Sequence, residues 1–184
     1  MADQGFAFDA LTGDRKERWS LHSPVTSSSG VVLPLKHTHP FSSQKCIWLH
    51  LGMTGAVFEK LPGQDGFRLF CADELLQLCH EYNDVLNAGF GDRYAVAYEY
   101  HENDCVFIDN LAVAHRASPD AHMPVEQNGL RIMHRSTVKG VQDLAQDFGL
   151  PRHVMIDGPK LSGEGVWQKR GVGVRLKDGM PMRN

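Results

Sequence analysis

No apolar run in this sequence approaches the roughly 20 residues that a helix needs to cross a bilayer. The amino terminus, Met1-Ala2-Asp3-Gln4-Gly5, also lacks the basic-then-apolar order of a secretory leader. A cytoplasmic chain with no membrane partner is expected. Charge of one sign is scarce: 19 Lys and Arg against 22 Asp and Glu leave a net charge of −3, and the basic residues are scattered. That gives no electrostatic footprint for a nucleic-acid backbone or an anionic lipid surface. Cysteine is sparse as well. Cys46, Cys71, Cys79 and Cys105 form no C-x-x-C pair, so they read as free, mostly buried thiols rather than a disulfide framework. What is present is ordinary, with 42% hydrophobic and 22% charged residues over 184 positions, which fits one globular domain. A domain of roughly 150 residues buries about 70% of its unfolded surface, enough for a core and an enclosed pocket.

Residues 1 to 30 combine a charged patch, Asp14-Arg15-Lys16-Glu17-Arg18, with Ser27-Ser28-Ser29-Gly30. Their periodicity is too weak to define an element, so residues 1–36 are expected to form an amino-terminal arm. From Val31 the composition becomes β-like, and Cys46 to Leu51 reads as a strand after a turn at Pro40 to Ser43. Ala72 to Ala88 sets Leu75, Leu76, Leu78, Cys79, Tyr82, Val85 and Leu86 on one helical stripe. Asp73 and Glu74 suit its positive end, and Gly89 is placed to stop it. Tyr94 to Tyr100, Cys105 to Asp109 and Leu130 to Val138 read as further strands, being rich in aromatic or β-branched residues. The expected domain is 37–150, followed by an extended tail over 151–184 with many glycines. A helix among short strands predicts a β-rich α+β fold.

Chemistry is sought where histidines have company, because a lone histidine is more often a surface or core residue than a ligand. His37-x-His39 places both rings on one face of a strand, since side chains alternate; two surface histidines beside a proline turn is the competing reading. Asn103 to Asn110 reads as a strand leaving a polar turn, with His115 just beyond its end, where a rigid strand can aim a ligand. In Arg131-Ile132-Met133-His134-Arg135, the two arginines share one strand face. A guanidinium fork matches a carboxylate in two parallel hydrogen bonds, so the pair suits acidic groups of a ligand, or else faces solvent or protein carboxylates.

Those pieces occur together and in order. The run Asn103-Asp104-x-x-x-x-Asp109-Asn110-x-x-x-x-His115, then Arg131-Ile132-Met133-His134-Arg135-Ser136-Thr137-Val138-x-Gly140, resembles the carboxyl-terminal half of the TauD/TfdA family. Thr38-His39-Pro40 and the strand after it resemble that family's R-T-H-P segment, so the likeness spans His37 to Gly140. These are iron(II) and 2-oxoglutarate dependent dioxygenases. The resemblance implies a double-stranded β-helix, a jelly-roll barrel with covering helices, incomplete here at its amino-terminal side. It further implies His115 as the distal iron ligand, Arg131 as the clamp on the far carboxylate of 2-oxoglutarate, and Arg135 as a second arginine near cosubstrate and substrate. A 2-His-1-carboxylate face leaves open positions on iron for a 2-oxo acid and for dioxygen. The implied reaction couples decarboxylation of 2-oxoglutarate to hydroxylation of a C–H bond in a small, anionic substrate.

The family's other two iron ligands lie in an upstream H-x-D or H-x-E motif, which this sequence lacks. The residues two places after its ten histidines are Pro24, His39, Phe41, Gly52, Tyr82, Asn103, Ala117, Pro124, Ser136 and Met155, none of them acidic. Three accounts follow: a fragment of a dioxygenase, a catalytically inactive anion-binding member of the family, or an enzyme whose metal site is rebuilt from His37, His39 or Asp104. An incomplete barrel also predicts exposed apolar surface and self-association into a homo-oligomer.

Overall fold

The structure, a computed structural model, describes residues 1–26, 29–64, 66–118, 123–129 and 132–138, the single positions 140, 144, 150 and 152, and the backbone of 154–157 and 173–176. In chain order the first elements are β1 (Ala2–Asp3), α1 (Gln4–Asp9), α2 (Gly13–Trp19), β2 (His22–Thr26), β3 (Lys36–Thr38) and β4 (Lys45–Ile47). There follow β5 (Thr54–Lys60), β6 (Phe67–Leu69), α3 (Ala72–Asp92), β7 (Val113–Ala114), α4 (Val125–Asn128), β8 (Val154–Asp157) and β9 (Gly173–Leu176).

The strands make four small antiparallel sheets: β1 with β7, β2-β5-β6, β3 with β4, and β8 with β9. The architecture is α+β, as the sequence predicts. The sheets of the described residues do not close into a barrel, so the jelly roll implied by the family resemblance is not reproduced here. Tyr94 to Tyr100 and Cys105 to Asp109 carry strand-like side chains but form no strand. Only Ala95 bridges to Ala2, with Asp3 N–H donating to Tyr94 C=O at 2.8 Å. Strand propensity needs a ladder partner to be realised, and the described residues bring none to 97–109. Of the expected strand at 130–138, residues 132–138 are described, exposed and in no strand; Leu130 and Arg131 lie outside the described residues. So does most of the expected tail, of which two strand backbones are described.

The predicted helix is present and longer than expected. Asp73 and Glu74 lie in its first turn, and Glu74 accepts the Cys71 N–H at 2.9 Å, closing a capping box. Gly89 does not stop it. The helix runs three residues further to a left-handed cap at Arg93, φ 66°. Gly89 serves close approach instead, since a Cβ there would lie 2.5 Å from a ring carbon of Tyr94. That ring is held by its hydroxyl donating to Val85 C=O.

Residues 1–26, which show no periodicity in sequence, hold two helices and two strands. Asp3 caps α1 through its carboxylate, which accepts the Gly5 and Phe6 N–H groups at 2.8 and 3.0 Å. Helices of six and seven residues are too short to repeat an apolar stripe, which is why the pattern is hard to see. They deliver Ala7, Phe8, Leu11 and Trp19 to the main core, where Leu35, Ile47, Leu49, Val57, Leu78, Cys79, Tyr82 and Val85 meet them. Trp19 and Tyr82 pack with ring centroids 6.3 Å apart. Alternation along β5 splits its side chains between two cores: Val57 faces the first, while Ala56 and Phe58 join Val25 and Val32 in a second. All four cysteines are free; Cys46 and Cys79 are buried, while Cys71 and Cys105 are exposed. Burial pushes the Cys46 thiol up to about 11 and the Cys79 thiol up to about 12, so both stay protonated and behave as apolar packing.

Candidate functional site

The hairpin of β3 and β4 turns at Pro40 to Ser43 as the sequence predicts, with His39 N–H donating to Gln44 C=O at 2.8 Å and Ser43 in the left-handed region. This turn presents the two histidines to the loop that leads into β7. His37 and His39 are both buried, so the surface-histidine reading does not hold.

The His39 ring is fully committed. Its Nδ1 accepts the Phe41 and Ser42 N–H groups at 3.3 and 3.1 Å, which places the ring proton on Nε2. Nε2–H donates to Asp109 Oδ2 at 2.9 Å, across 70 residues of sequence. The other carboxylate oxygen, Oδ1, accepts the Leu111 N–H at 2.9 Å. Burial disfavours charge on Asp109, but the Leu111 amide and the His39 ring outweigh it and hold the carboxyl below its usual range. His37 Nε2–H donates to Leu111 C=O at 2.9 Å, while its Nδ1 is buried with no partner among the described residues. Burial pushes the His37 ring down, with the charge of His39 acting the same way and the Leu111 carbonyl and Asp109 opposing.

From this clasp the chain passes directly into β7. The Asp109 carbonyl accepts the Ala112 and Val113 N–H groups at 3.1 and 2.8 Å, and β7 then pairs with β1, Val113 facing Asp3 and Ala114 facing Ala2. His115 follows at the strand end with its ring exposed. The next residue, Arg116, reaches α3 with both terminal nitrogens: Nη1 donates to Asn83 Oδ1 at 3.0 Å and Nη2 to Asn87 Oδ1 at 2.8 Å. His50 lies close enough to His115 for a charge on that ring to lower the His50 value. Burial is the larger reason that His50 titrates below its ordinary value.

The sequence-predicted residues are not all brought together. His115 is exposed beside the clasp. Arg131 lies outside the described residues, and Arg135 is exposed in the stretch 132–138. Asp104 is exposed and engaged in a turn, accepting from Tyr98 Oη–H at 2.8 Å and His101 N–H at 2.9 Å. The partnerships of His39 with Asp109 and of Arg116 with two asparagines are absent from the sequence reading. The spacing of Asn83 and Asn87, one helical turn apart on α3, is the only linear signal for the second.

An iron site of the three-ligand kind does not fit the described residues alone. No group of three His, Cys, Asp or Glu side chains among them can hold a metal ion. His39 has no free nitrogen, both Asp109 oxygens are engaged, and Asp104 is bound elsewhere. His37, His39 and Asp104 are not brought into one such group among the described residues.

The geometry gives an exposed histidine at a strand end beside a turn tied to the β3–β4 hairpin by the His39–Asp109 pair, and by itself it defines no family. The profile described as taurine catabolism dioxygenase TauD, TfdA family matches residues 1–137, and the chain belongs to that family. The match takes in the amino-terminal helices as well as the motif region. No curated protein and no solved structure gives a significant match. Dioxygenases of this family generally use iron(II) and 2-oxoglutarate, with a small molecule and dioxygen as reactants. No helix among the described residues is long and apolar enough to cross a membrane.

Proposed function

We propose that this chain supplies the distal histidine and the cosubstrate arginines of an iron(II)/2-oxoglutarate dioxygenase that hydroxylates a C–H bond of a small, anionic substrate. His115 is the iron ligand it contributes. Arg131 anchors the far carboxylate of 2-oxoglutarate, and Arg135 lies near the substrate's acidic group. The two remaining ligands come from an H-x-D or H-x-E motif outside this sequence, because none of its ten histidines has an acidic residue two places on. The observation that carries the reading is the placement of His115 at a strand end with an exposed ring, the β7 backbone paired before it and the Arg116 side chain bonded to α3 after it. A catalytic ligand needs that combination of a free ring and a fixed frame.

A second reading is an anion-binding module that keeps the arginines and performs no turnover. It is favoured by the commitment of His39 and Asp109 to each other, which leaves the described residues without a second metal donor in this loop.

Anaerobic titration with iron(II) and 2-oxoglutarate separates the two. The chain alone should give no visible charge-transfer band of the chelate. The same chain extended in frame upstream, to include an H-x-D or H-x-E motif, should give the band, and His115→Ala should abolish it. A band that survives His115→Ala would end the dioxygenase assignment of this residue. Calorimetric binding of 2-oxoglutarate without iron, lost in Arg131→Ala and accompanied by no band in the extended chain, would establish the binding module.

A further inference from the structure

His115 stands at the end of a strand only two residues long, and two backbone pairs with β1 are too few to fix a side chain by themselves. Yet the chain around it is tied at close range on both sides. Upstream, Asp109 is bound by His39 and closes a turn on the Leu111, Ala112 and Val113 amides, while the Leu111 carbonyl is held by His37. Downstream, the fork of Arg116 spans Asn83 and Asn87, one turn apart on the longest helix of the fold. A guanidinium presents its donors in a rigid plane, so two acceptors at this spacing fix its orientation as well as its distance. His115 itself is left with an exposed ring.

We infer that Arg116 and the His39–Asp109 pair are positioning residues that clamp the chain on either side of His115 and so fix the backbone from which its ring projects. The inference rests on the reading of His115 as a ligand and adds the residues that would make it an effective one. Arg116 acts through β7 and α3, and His39 acts through Asp109. Neither touches cosubstrate or metal.

The clamp also explains why the histidine of the T-H-P turn is spent on a carboxylate. A neutral ring whose Nδ1 accepts two amides has one donor left, and that donor is aimed at the residue that starts the turn toward His115. Nitrogen relaxation of the apo chain tests the inference. The His115 amide should show an order parameter near the rigid value of about 0.85, and Arg116→Ala should lower it toward the flexible range below about 0.6. The same loss should follow Asp109→Ala, with amide exchange of residues 111–113 accelerated at least tenfold. In the wild type the His39 ring should show a protonated Nε2 and a bare Nδ1. Asn87→Asp, which keeps an acceptor for the fork, should retain the rigid value where Asn87→Ala loses it. Asn87→Ala also stands in should Arg116→Ala fail to fold.

A merely structural role would loosen amides throughout the domain or none at all. An unchanged His115 order parameter in Arg116→Ala or Asn87→Ala, or a loss spread evenly over α3 and β5, would overturn the inference. Iron chelation is read separately on the extended chain, so failure there removes the ligand assignment without altering these order parameters.

Discussion

Residues 1–95 and residues 96–138 are built on opposite terms. Every buried hydrophobic side chain of the described residues lies between Ala2 and Ala95, and all but Ala2, Cys46 and Ala95 belong to the two cores that α1, α2, β5 and α3 enclose. In the second region Phe107 and Val138 are each 92% exposed, Ile132 is 72% exposed, and the only regular elements among the described residues are β7 and α4. Yet the second region carries the residues by which the family is recognised. Stability and recognisable chemistry are therefore segregated: the first region is the frame, and His115 is attached to it through β1, the His39–Asp109 pair and the Arg116 fork.

The contrast predicts unequal mutational costs, measurable by denaturant unfolding. Trp19→Ala empties a fully buried site packed on Tyr82 and should cost about 3–5 kcal/mol. Phe107→Ala should fall within about 0.5 kcal/mol of the wild type, as surface changes do; a cost near that of Trp19→Ala would mean that 96–138 has a core of its own. Gly89→Ala drives a methyl into the Tyr94 ring, and should cost about 1–3 kcal/mol by overpacking, with the loss centred on the join between the two regions. Asp109→Ala leaves the buried His39 Nε2–H without its acceptor, for about 1–3 kcal/mol and toward the lower end because Asp109 is half exposed.

The smallest effect is on pH. His37 and His22 both titrate below their ordinary value because burial disfavours the charged ring. Around His37 stand the Leu111 carbonyl, His39 and Asp109; around His22 stand Glu59, Arg18 and Arg68. A lowered folded pKa means that the unfolded chain binds the proton first. The stability from each ring is complete above about pH 6.5 and is lost as the pH falls through the folded value. Unfolding midpoints should drop over that window, and His37→Gln should flatten its share of the slope. A stability that rises on acidification would contradict the burial of both rings.

How far the sequence could be read varied with the range over which each feature is decided. The stripe from Leu75 to Leu86 and the acidic pair Asp73 and Glu74 are local, and α3 was legible from them. So was the turn after Pro40. The short helices α1 and α2 were not, because each spans about two turns and borrows its stability from Trp19 and Phe8 in the shared core. The strands expected at 94–100 and 105–109 failed for the opposite reason: their side chains suit a sheet, but the ladder requires a partner that the described residues do not bring. The motif that singles out His115 is likewise a matter of chain order. His39–Asp109 and Arg116–Asn83–Asn87 were not legible, since their partners are separated by 70, 33 and 29 residues.

By itself the sequence determined the family, through ordered side-chain identities in D-N-x-x-x-x-H and R-I-M-H-R-S-T, and it determined that no histidine is followed two places later by a carboxylate. These are statements about which groups exist, and chain order is enough to make them. Only the tertiary structure decided which of those groups remain free. His39 looked available along the chain and is bound to Asp109 across the fold, while His115 keeps an exposed ring between a paired β7 and the Arg116 side chain held by α3. The physical reason is that a hydrogen bond spends a donor or acceptor wherever its partner happens to fold, and spacing along the chain carries no record of that.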